Sequence, residues 1–294
     1  MQRKEFLKTI SLAPLLGVIQ PLQALGTLAQ SWPSTPKMPV LFLGHGSPMN
    51  AIQDNEFVKG FRDIASTIIK PKVILCISAH WETKGTKVTA MKMPRTIHDF
   101  GGFPQELHKV QYPAPGSPEL AKMIQQTISS TKVEEDYQWG LDHGAWSVLK
   151  HMYPQANIPV VQMSLDYTQA PAYHFALAQQ LQALRYKGVL IVSSGNMVHN
   201  LAMIDWKNMN SNDFAYDWAR EASQKLKEYI QKYDTHSLLH YHQQGKALQL
   251  AIPTPEHYLP LLYTLALRHP SDHLQFFNDK AVAGSLTMTS LKYH

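Results

Sequence analysis

The sequence predicts an α/β domain in which helices flank a largely parallel or mixed central sheet. Two observations support this prediction: short apolar runs alternate with segments of helical periodicity, and neither an internal repeat nor a second compositional regime interrupts them. The 294 residues, 44% of them hydrophobic and 17% charged, are enough for one large buried core. We therefore expect a single folded domain over residues 38–294.

Apolar runs bounded by glycine, proline or polar residues predict the strands. The first run ends at the turn-forming sequence Gly44-His45-Gly46, and the second contains Cys76 and is followed closely by His80. The carboxy-terminal tail is expected to add a strand at the edge of the sheet. The predicted strands cover residues 38–43, 73–78, 88–91, 158–165, 189–193 and 283–291.

Helices are predicted where apolar residues recur at helical spacing or where a capping residue opens the segment. Asp142 is expected to be the N-cap of one helix and Thr254 the N-cap of another, with proline in the first turn of the latter. Residues 94–116 are rich in glycine, proline and aromatic residues, which is typical of a long shaped loop. The predicted helices cover residues 54–69, 118–129, 171–184, 213–232 and 255–267, and a further one begins after Asp142.

Histidine is unusually frequent, with 15 residues, whereas Cys76 is the one cysteine. A single cysteine excludes an internal disulfide and every thiolate-cage metal site, and its place in a predicted strand favours core packing. Metal chemistry must therefore use imidazole and carboxylate ligands, which suit zinc, iron, copper or nickel. The net charge is 27 − 22 = +5, without a dense basic run interleaved with aromatic residues, so nucleic-acid binding has no support.

The first thirty residues resemble an export signal. Arg3 and Lys4 precede a short apolar stretch, residues 10–19, and small residues follow it, similar to a twin-arginine signal whose second arginine is replaced by lysine. The stretch is too short to span a bilayer, so no membrane span is predicted. We expect residues 1–30 to direct the chain to the periplasm and residues 31–37 to be a linker. The alternative is an amphipathic helix on a cytoplasmic protein.

Four histidines occupy related positions and are the candidate metal ligands. His45, His80 and His199 each follow a predicted strand, and the carboxyl ends of parallel strands lie along one edge of a sheet, where ligands bind. His257 is expected at the third position of the helix capped by Thr254, where the helix dipole disfavours imidazolium and keeps the ring available to a cation. The sequence therefore predicts a metal site at the carboxyl-terminal edge of the strands.

The remaining histidines are treated separately. His143 opens a predicted helix and is either an acid–base or substrate-binding group or an ordinary first-turn residue. Glu256 could replace His257 as a ligand, although neighbours in a helix point about 100° apart, so both are not expected to reach one metal. His98 is intermediate, within the loop 94–116. Nine others are expected to be surface or capping residues: His108, His151, His174, His236, His240, His242, His269, His273 and His294.

Six short motifs resemble those of one enzyme family. In their order over about residues 38–291, they are similar to the DODA-type extradiol ring-opening dioxygenases, the family of bacterial and plant 4,5-DOPA dioxygenases within the class III LigB-like enzymes. The motifs are GHGSP at 44–48, SAHW at 78–81, YPAPG at 112–116, GLDHG at 140–144, GNMVHN at 195–200 and PTPEH at 253–257.

The resemblance implies one non-haem metal, Zn(II) or Fe(II), near His45, His80 and His257, with His199 as a further ligand or as the acid–base residue. Related enzymes use two histidines and a glutamate, and the position that matches this glutamate is His257. Fe(II) is expected for oxygen activation because zinc has no accessible redox couple. The implied substrates are a DOPA-like catechol and O₂, with His143 bonding to one of them.

Pocket walls are expected from the loop 94–116 and from Trp81. Two other functions use the same histidines. A zinc-dependent hydrolase would need three protein ligands and one open position. A non-enzymatic metal-binding protein of the envelope would tend toward a closed coordination shell, with no need for His143.

Overall fold

An eight-stranded mixed sheet lies at the centre of the computed structural model, which describes residues 32–209, 211 and 213–294. The strands of this sheet and of two small two-stranded sheets are β1 (Val40–Gly44), β2 (Val73–Thr83), β3 (Thr86–Thr89), β4 (Arg95–Thr96), β5 (Val133–Asp136), β6 (Gly140–Leu141), β7 (Val160–Asp166), β8 (Val189–Gly195), β9 (Leu274–Phe277), β10 (Ala281–Val282), β11 (Leu286–Thr287) and β12 (Ser290–Tyr293). The order across the large sheet is β5-β3-β7-β2-β8-β1-β12-β9. Strands β7, β2, β8 and β1 run parallel at its centre, and antiparallel pairs flank them. The predicted α/β domain with a mixed sheet is confirmed.

Helices flank this sheet, and three of them begin directly after a capping residue. They are α1 (Glu56–Ser66), α2 (Gln105–His108), α3 (Pro118–Thr127), α4 (His143–Met152), α5 (Pro171–Gln179), α6 (Asp217–Lys232), α7 (Thr235–Leu239), α8 (Lys246–Ala251) and α9 (Leu259–Ala266). The side chains of Asn55, Ser117 and Asp142 each accept a hydrogen bond from a backbone N–H in the first turn of α1, α3 and α4. Helix α4 packs against β2 and α1, and α9 packs against β8 and α5.

The central strands are covered on both faces. Every residue of β1, β7 and β8 is buried, which explains why apolar residues follow one another at the start of each strand instead of alternating with polar ones. Cys76 in β2 is fully buried in the same core, as predicted, and burial raises the pKa of its thiol. The core thus holds β1, β2 and β8 rigidly, and their carboxyl ends become fixed points for side chains.

The carboxy-terminal tail does not form the edge of the sheet, and this prediction is wrong. Strand β12 lies between β1 and β9, pairing antiparallel with both. The edge strand on this side of the sheet is β9, whose residues are exposed or half-buried and whose short sequence gives no strong strand pattern. The position of a strand within a sheet depends on which partners it meets after folding, and its own residues do not encode this.

The last core helix begins later than predicted. Helix α9 starts at Leu259 with Pro260 in its first turn, and residues 253–258 form a turn before it. Thr254 is not its N-cap, because the hydroxyl of Thr254 donates a hydrogen bond to the Glu256 carboxylate instead, at 2.8 Å. His257 therefore precedes the helix, and the prediction that it occupies the third helical position is wrong.

The amino-terminal predictions concern residues that are mostly not described. The expected export signal, residues 1–30, and Ser31 lie outside the described residues. Where the description begins, the backbone N–H of Thr35 donates to the Tyr186 carbonyl at 2.9 Å, so this part of the chain is attached to the domain. Among the described residues, no helix is both long and apolar enough to cross a membrane.

Candidate metal centre

Five histidines meet at the carboxyl-terminal edge of the central strands. His45 directly follows β1, His143 is the first residue of α4, His199 lies four residues after β8, and His257 lies in the turn before α9. His80 on β2 completes the group. Neighbouring rings in this cluster have centroids 3.5–5.6 Å apart. These are the five histidines that the sequence singled out, and the fold brings them together.

His80 lies inside a strand and does not follow one, which differs from the prediction. Strand β2 continues to Thr83, but its pairing with β7 is interrupted between Ile77 and Glu82. Such an irregularity bends the strand and redirects a side chain, and it is common beside functional sites. His80 is therefore aimed at the cluster by a break in the ladder that its sequence did not reveal.

Hydrogen bonds fix the protonation of the His45 ring. Its Nδ1 lies 2.9 Å from the Ser194 hydroxyl, and that hydroxyl donates its own hydrogen to the Gly144 carbonyl at 2.5 Å. The Ser194 oxygen must therefore accept from His45, so Nδ1 carries the hydrogen. This leaves the lone pair of His45 on Nε2, which faces the cluster.

Carboxylates also lie beside His257 and His80. Glu256 Oε1 lies 3.1 Å from His257 Nδ1 in a hydrogen bond, and an ionised carboxylate only accepts, so Nδ1 of His257 carries hydrogen and its Nε2 carries the lone pair. Asp99 Oδ2 lies 3.4 Å from His80 Nδ1, an ion-pair contact whose negative charge favours hydrogen on that atom. Carboxylates and hydroxyls in this position are the usual partners of metal-binding imidazoles.

These three histidines fit a divalent metal ion. The Nε2 atoms of His45 and His80 are 3.1 Å apart, and since His45 Nε2 carries a lone pair, either a cation or a hydrogen of His80 lies between them. One ring nitrogen from each of His45, His80 and His257 lies within 4.8 Å of the others. Tetrahedral binding with metal–nitrogen distances near 2.0–2.1 Å requires nitrogens about 3.3–3.4 Å apart. The donor set suits zinc or iron.

Burial favours the neutral form of four of the five rings. It lowers the pKa of His45 and His80 well below the usual value, and the neighbouring histidines lower both further. Burial also lowers the pKa of His257, partly offset by the Glu256 carboxylate. The pKa of His199 is lowered to about 3 by burial and by His257. Neutral imidazole is the form that binds metals.

His199 occupies a different place from the other three. Its ring stacks on that of His257 with centroids 3.5 Å apart and planes 8° apart. Its backbone N–H donates to the Ala251 carbonyl at 2.8 Å, which ties it to the end of α8. His199, Glu256 and His257 also form a group of possible ligands, distinct from the group of His45, His80 and His257.

His143 is held by Asp99, a residue that the sequence did not single out. Asp99 Oδ1 accepts the His143 backbone N–H at 2.8 Å, and Oδ2 lies 2.9 Å from His143 Nδ1. Burial raises the pKa of Asp99, but the hydrogen bonds and charge of His143 outweigh it, so this pKa is lowered. The sequence signal that could have identified Asp99 is its place as a carboxylate in the loop 94–116, next to His98.

Residues 36–262 match the family described as the catalytic LigB subunit of aromatic ring-opening dioxygenase. The chain belongs to this family. It is 43% identical to 4,5-DOPA dioxygenase extradiol of Escherichia coli (strain K12), over 88% of this chain and 96% of that protein. It is 35% identical to 4,5-DOPA dioxygenase extradiol of Beta vulgaris, over 86% of this chain and 95% of that protein. A solved structure of an uncharacterized protein from Escherichia coli K12 matches with a TM-score of 0.73 and 37% identity, covering 87% of this chain and all of that one.

This protein is therefore an extradiol ring-opening dioxygenase, an oxidoreductase whose substrates are a catechol and O₂. Neither the hydrolase nor the non-enzymatic binding protein is favoured by these relationships. The predicted family, enzyme class and reaction are confirmed.

The expected walls of the dioxygenase site differ in their contacts. Phe100 of the loop 94–116 packs edge-on against His143, with ring centroids 5.5 Å apart. Trp81, the neighbour of His80 in β2, is buried, and successive side chains of a strand point to opposite faces. Its ring stacks on that of Trp139, with centroids 5.6 Å apart. The loop thus reaches the histidine cluster through Phe100, whereas the described ring contact of Trp81 is with another tryptophan.

His174 is the one histidine outside the cluster that contradicts its prediction. It was expected at the surface or in a cap, but it is fully buried in α5, and its Nδ1 lies 3.0 Å from the Tyr263 hydroxyl. Helix α5 packs against α9, so a side chain between them is enclosed by a partner that is distant in sequence. The other eight predicted surface or capping histidines are exposed or half-buried, as expected.

Gly195 allows the dioxygenase to bring His257 close to β8. A Cβ atom at Gly195 would lie 2.2 Å from the His257 carbonyl oxygen, so Gly195→Ala must displace that backbone. We expect zinc affinity to fall tenfold or more, measured by competition with a chelator, because the ligand ring moves with its backbone. Gly101→Ala, whose methyl group would enter open space, should keep wild-type zinc affinity. Unchanged affinity in Gly195→Ala would contradict the expectation.

Proposed function

We propose that this dioxygenase opens the ring of a DOPA-like catechol beside its diol, using one divalent metal held by His45, His80 and His257. The observation that supports the metal site is the convergence of one ring nitrogen each from His45, His80 and His257 within 4.8 Å of one another, with the Nε2 atoms of the first two 3.1 Å apart. The names of the relatives from Escherichia coli and Beta vulgaris support the substrate class. Both relatives match nearly the whole domain, which supports the same substrate class for this protein.

Fe(II) is the metal that we propose for turnover. When bound, Fe(II) supplies Lewis acidity toward the diol together with a redox couple for O₂, whereas Zn(II) supplies the Lewis acidity alone. Three imidazoles from His45, His80 and His257 suit either ion. Protein isolated with zinc would therefore bind a catechol without consuming oxygen.

We propose that His199 is an acid–base residue and not a ligand. A metal binds imidazole in the plane of the ring, and two parallel rings 3.5 Å apart cannot both contain one ion in their planes. His257, whose Nδ1 is bound by Glu256, is the better ligand of the stacked pair. Burial lowers the pKa of His199, so its ring is neutral and offers a lone pair to a hydroxyl of the diol.

His143 has the matching role on the other side of the cluster. Because Asp99 accepts a hydrogen bond from its Nδ1, the lone pair lies on Nε2. This atom can accept a hydrogen bond from the substrate hydroxyl and orient the catechol. The imidazoles of His143 and His199 thus share the proton handling of the reaction.

Oxygen uptake tests the proposed reaction. Apo-protein is loaded anaerobically with Fe(II) or with Zn(II), mixed with a panel containing DOPA, dopamine and simple catechol, and then exposed to air. We expect oxygen consumption and a yellow ring-opened product in the Fe(II) sample only, fastest with DOPA. Absence of uptake with every catechol would overturn the proposal, and uptake by the Zn(II) form would overturn the assignment of the metal.

His199→Ala separates an acid–base residue from a ligand. We expect zinc affinity within about threefold of wild type, since the three ligands remain, and kcat lower by about 100-fold to 10,000-fold, since proton transfer is lost. Chelator competition and oxygen uptake measure the two effects. His236→Ala, an exposed histidine on α7, is the matched control and should leave both values unchanged. Loss of zinc from His199→Ala would identify it as a ligand.

We also propose that residues 1–30 export the enzyme to the periplasm, since they are similar to a twin-arginine signal. Arg3 and Lys4 before a short apolar stretch support this location. Cell fractionation of the full chain and of a chain lacking residues 1–29 tests it. We expect only the full chain in the periplasm; full-length uncleaved protein in the cytoplasm would mean that residues 1–30 are not a signal.

A further inference from the structure

The Asp99 carboxylate is shared between two histidines with different proposed tasks. One oxygen accepts the backbone N–H of His143 at 2.8 Å. The other lies 2.9 Å from His143 Nδ1 and 3.4 Å from His80 Nδ1. The rings of His80 and His143 are themselves 3.9 Å apart between centroids. We propose that Asp99 is a positioning residue that fixes the orientation and the tautomer of both rings at once.

The loop that carries Asp99 is attached to the segment that carries His143. Strand β4 pairs with β6, with Arg95 opposite Gly140. The backbone N–H of Ile97 then donates to the Leu141 carbonyl at 2.7 Å. Since β6 ends two residues before His143, the loop and the start of α4 form one unit at this point. The carboxylate is thus held in place by backbone pairing as well as by its own hydrogen bonds.

A second attachment holds the loop against α4 itself. The indole N–H of Trp146 in α4 donates to the Ile97 carbonyl at 2.8 Å, and Phe100 packs edge-on against His143. Asp99 lies between these two contacts, and its side chain is 15% exposed. A carboxylate fixed from both sides orients an imidazole more strictly than a flexible surface carboxylate would.

The proton positions give this arrangement its effect. An ionised Asp99 accepts a hydrogen bond from His143 Nδ1, which leaves Nε2 of His143 for the substrate. Its negative charge 3.4 Å from His80 Nδ1 favours hydrogen on that atom and leaves Nε2 of His80 for the metal. In Asp99→Asn the amide oxygen can still accept the His143 backbone N–H. The amide NH₂ then faces His143 Nδ1, and two donors cannot form a hydrogen bond. The ring must move its hydrogen to Nε2, where it no longer offers a lone pair to the diol.

The task of His143 rests on the proposed function, but the tautomer can be measured without turnover. Zinc-loaded protein with ¹⁵N-labelled histidine is examined by long-range ¹H–¹⁵N NMR, with the His143 signals assigned from their absence in His143→Ala. We expect the Nδ1–H form in the wild type and the Nε2–H form in Asp99→Asn. In the Fe(II) enzyme, Asp99→Asn should lower kcat about 100-fold while changing KM less than threefold.

Two further variants keep this test decisive. Asp99→Glu retains a carboxylate and should restore the Nδ1–H form of His143 and part of kcat, which also serves if Asp99→Asn folds poorly. Asp54→Asn removes an exposed carboxylate paired with Arg62 and should change neither readout. The proposal fails if His143 keeps its wild-type tautomer in Asp99→Asn, or if the tautomer changes and kcat stays within twofold. If no catechol is consumed by the wild type, the reaction proposal fails, and the NMR result alone decides the role of Asp99.

Discussion

His45→Ala is expected to lose its metal and to abolish ring opening. His45 is 1% exposed, its Nδ1 is fixed by Ser194, and its Nε2 lies 3.1 Å from that of His80. Removing one of three protein ligands leaves a site that a water molecule must complete, so zinc affinity should fall about 100-fold or more. Chelator competition measures this loss, and oxygen uptake by the Fe(II)-loaded protein should drop to background.

The same measurement needs a control histidine outside the cluster. His242→Ala removes an exposed imidazole and should retain wild-type zinc affinity and oxygen uptake. If His45→Ala still binds one zinc ion with wild-type affinity, or keeps a tenth of the wild-type turnover, His45 is not a metal ligand. The two variants should also differ in what they lose. His45→Ala should lose both metal binding and activity, whereas His199→Ala should lose activity while it still binds metal.

Asp272→Ala is expected to lower the free energy of unfolding by about 3–5 kcal/mol, because it leaves the buried charge of Arg185 without its partner. Arg185 is fully buried, and its guanidinium forms two hydrogen bonds with Asp272, at 2.7 and 3.1 Å. Lys37 also pairs with this carboxylate. Urea unfolding measures the change. Asp54→Ala, which removes the exposed partner of Arg62, should cost less than about 1 kcal/mol.

The charge of Asp272 also gives this pair a defined pH dependence. Burial raises the pKa of Asp272, but hydrogen bonds from Arg185 and Lys37 outweigh it and lower the pKa to about 2. A lowered carboxyl pKa contributes stability above the usual value near 4, and this stability is lost as the pH falls toward 2. The wild type should therefore lose stability between pH 4 and pH 2 more steeply than Asp272→Ala. If both proteins lose the same amount of stability between pH 4 and pH 2, Asp272 does not have this role.

A double replacement separates charge burial from packing. Arg185→Met combined with Asp272→Leu removes both charges and should recover most of the stability lost in Asp272→Ala. Zinc affinity at neutral pH should be unchanged in both variants, since no described bond joins this ion pair to the histidine cluster. A stability loss in the double variant equal to that of Asp272→Ala would show that shape, not the unpaired charge, is decisive.

Local patterns in the sequence were enough to predict the fold class and the five histidines of the cluster. Apolar runs without alternation mark buried parallel strands, and a residue that follows such a strand must lie at one edge of the sheet. His45 and His199 obey this rule directly. His257 arrived at the same place although the helix start predicted for it was wrong, because α9 packs on β8 and carries the preceding turn with it.

By itself, the sequence determined that this protein is an α/β dioxygenase and which histidines gather at the edge of its sheet, because periodicity and short motifs are properties of contiguous residues. Only the tertiary structure decided which ring nitrogen of His45 and of His143 is free. Ser194 lies 149 residues from His45, and Asp99 lies 44 residues from His143, so neither partner is visible in a local pattern. Hydrogen bonds between distant segments set these two tautomers, which leave Nε2 of His45 facing His80 and Nε2 of His143 free of Asp99.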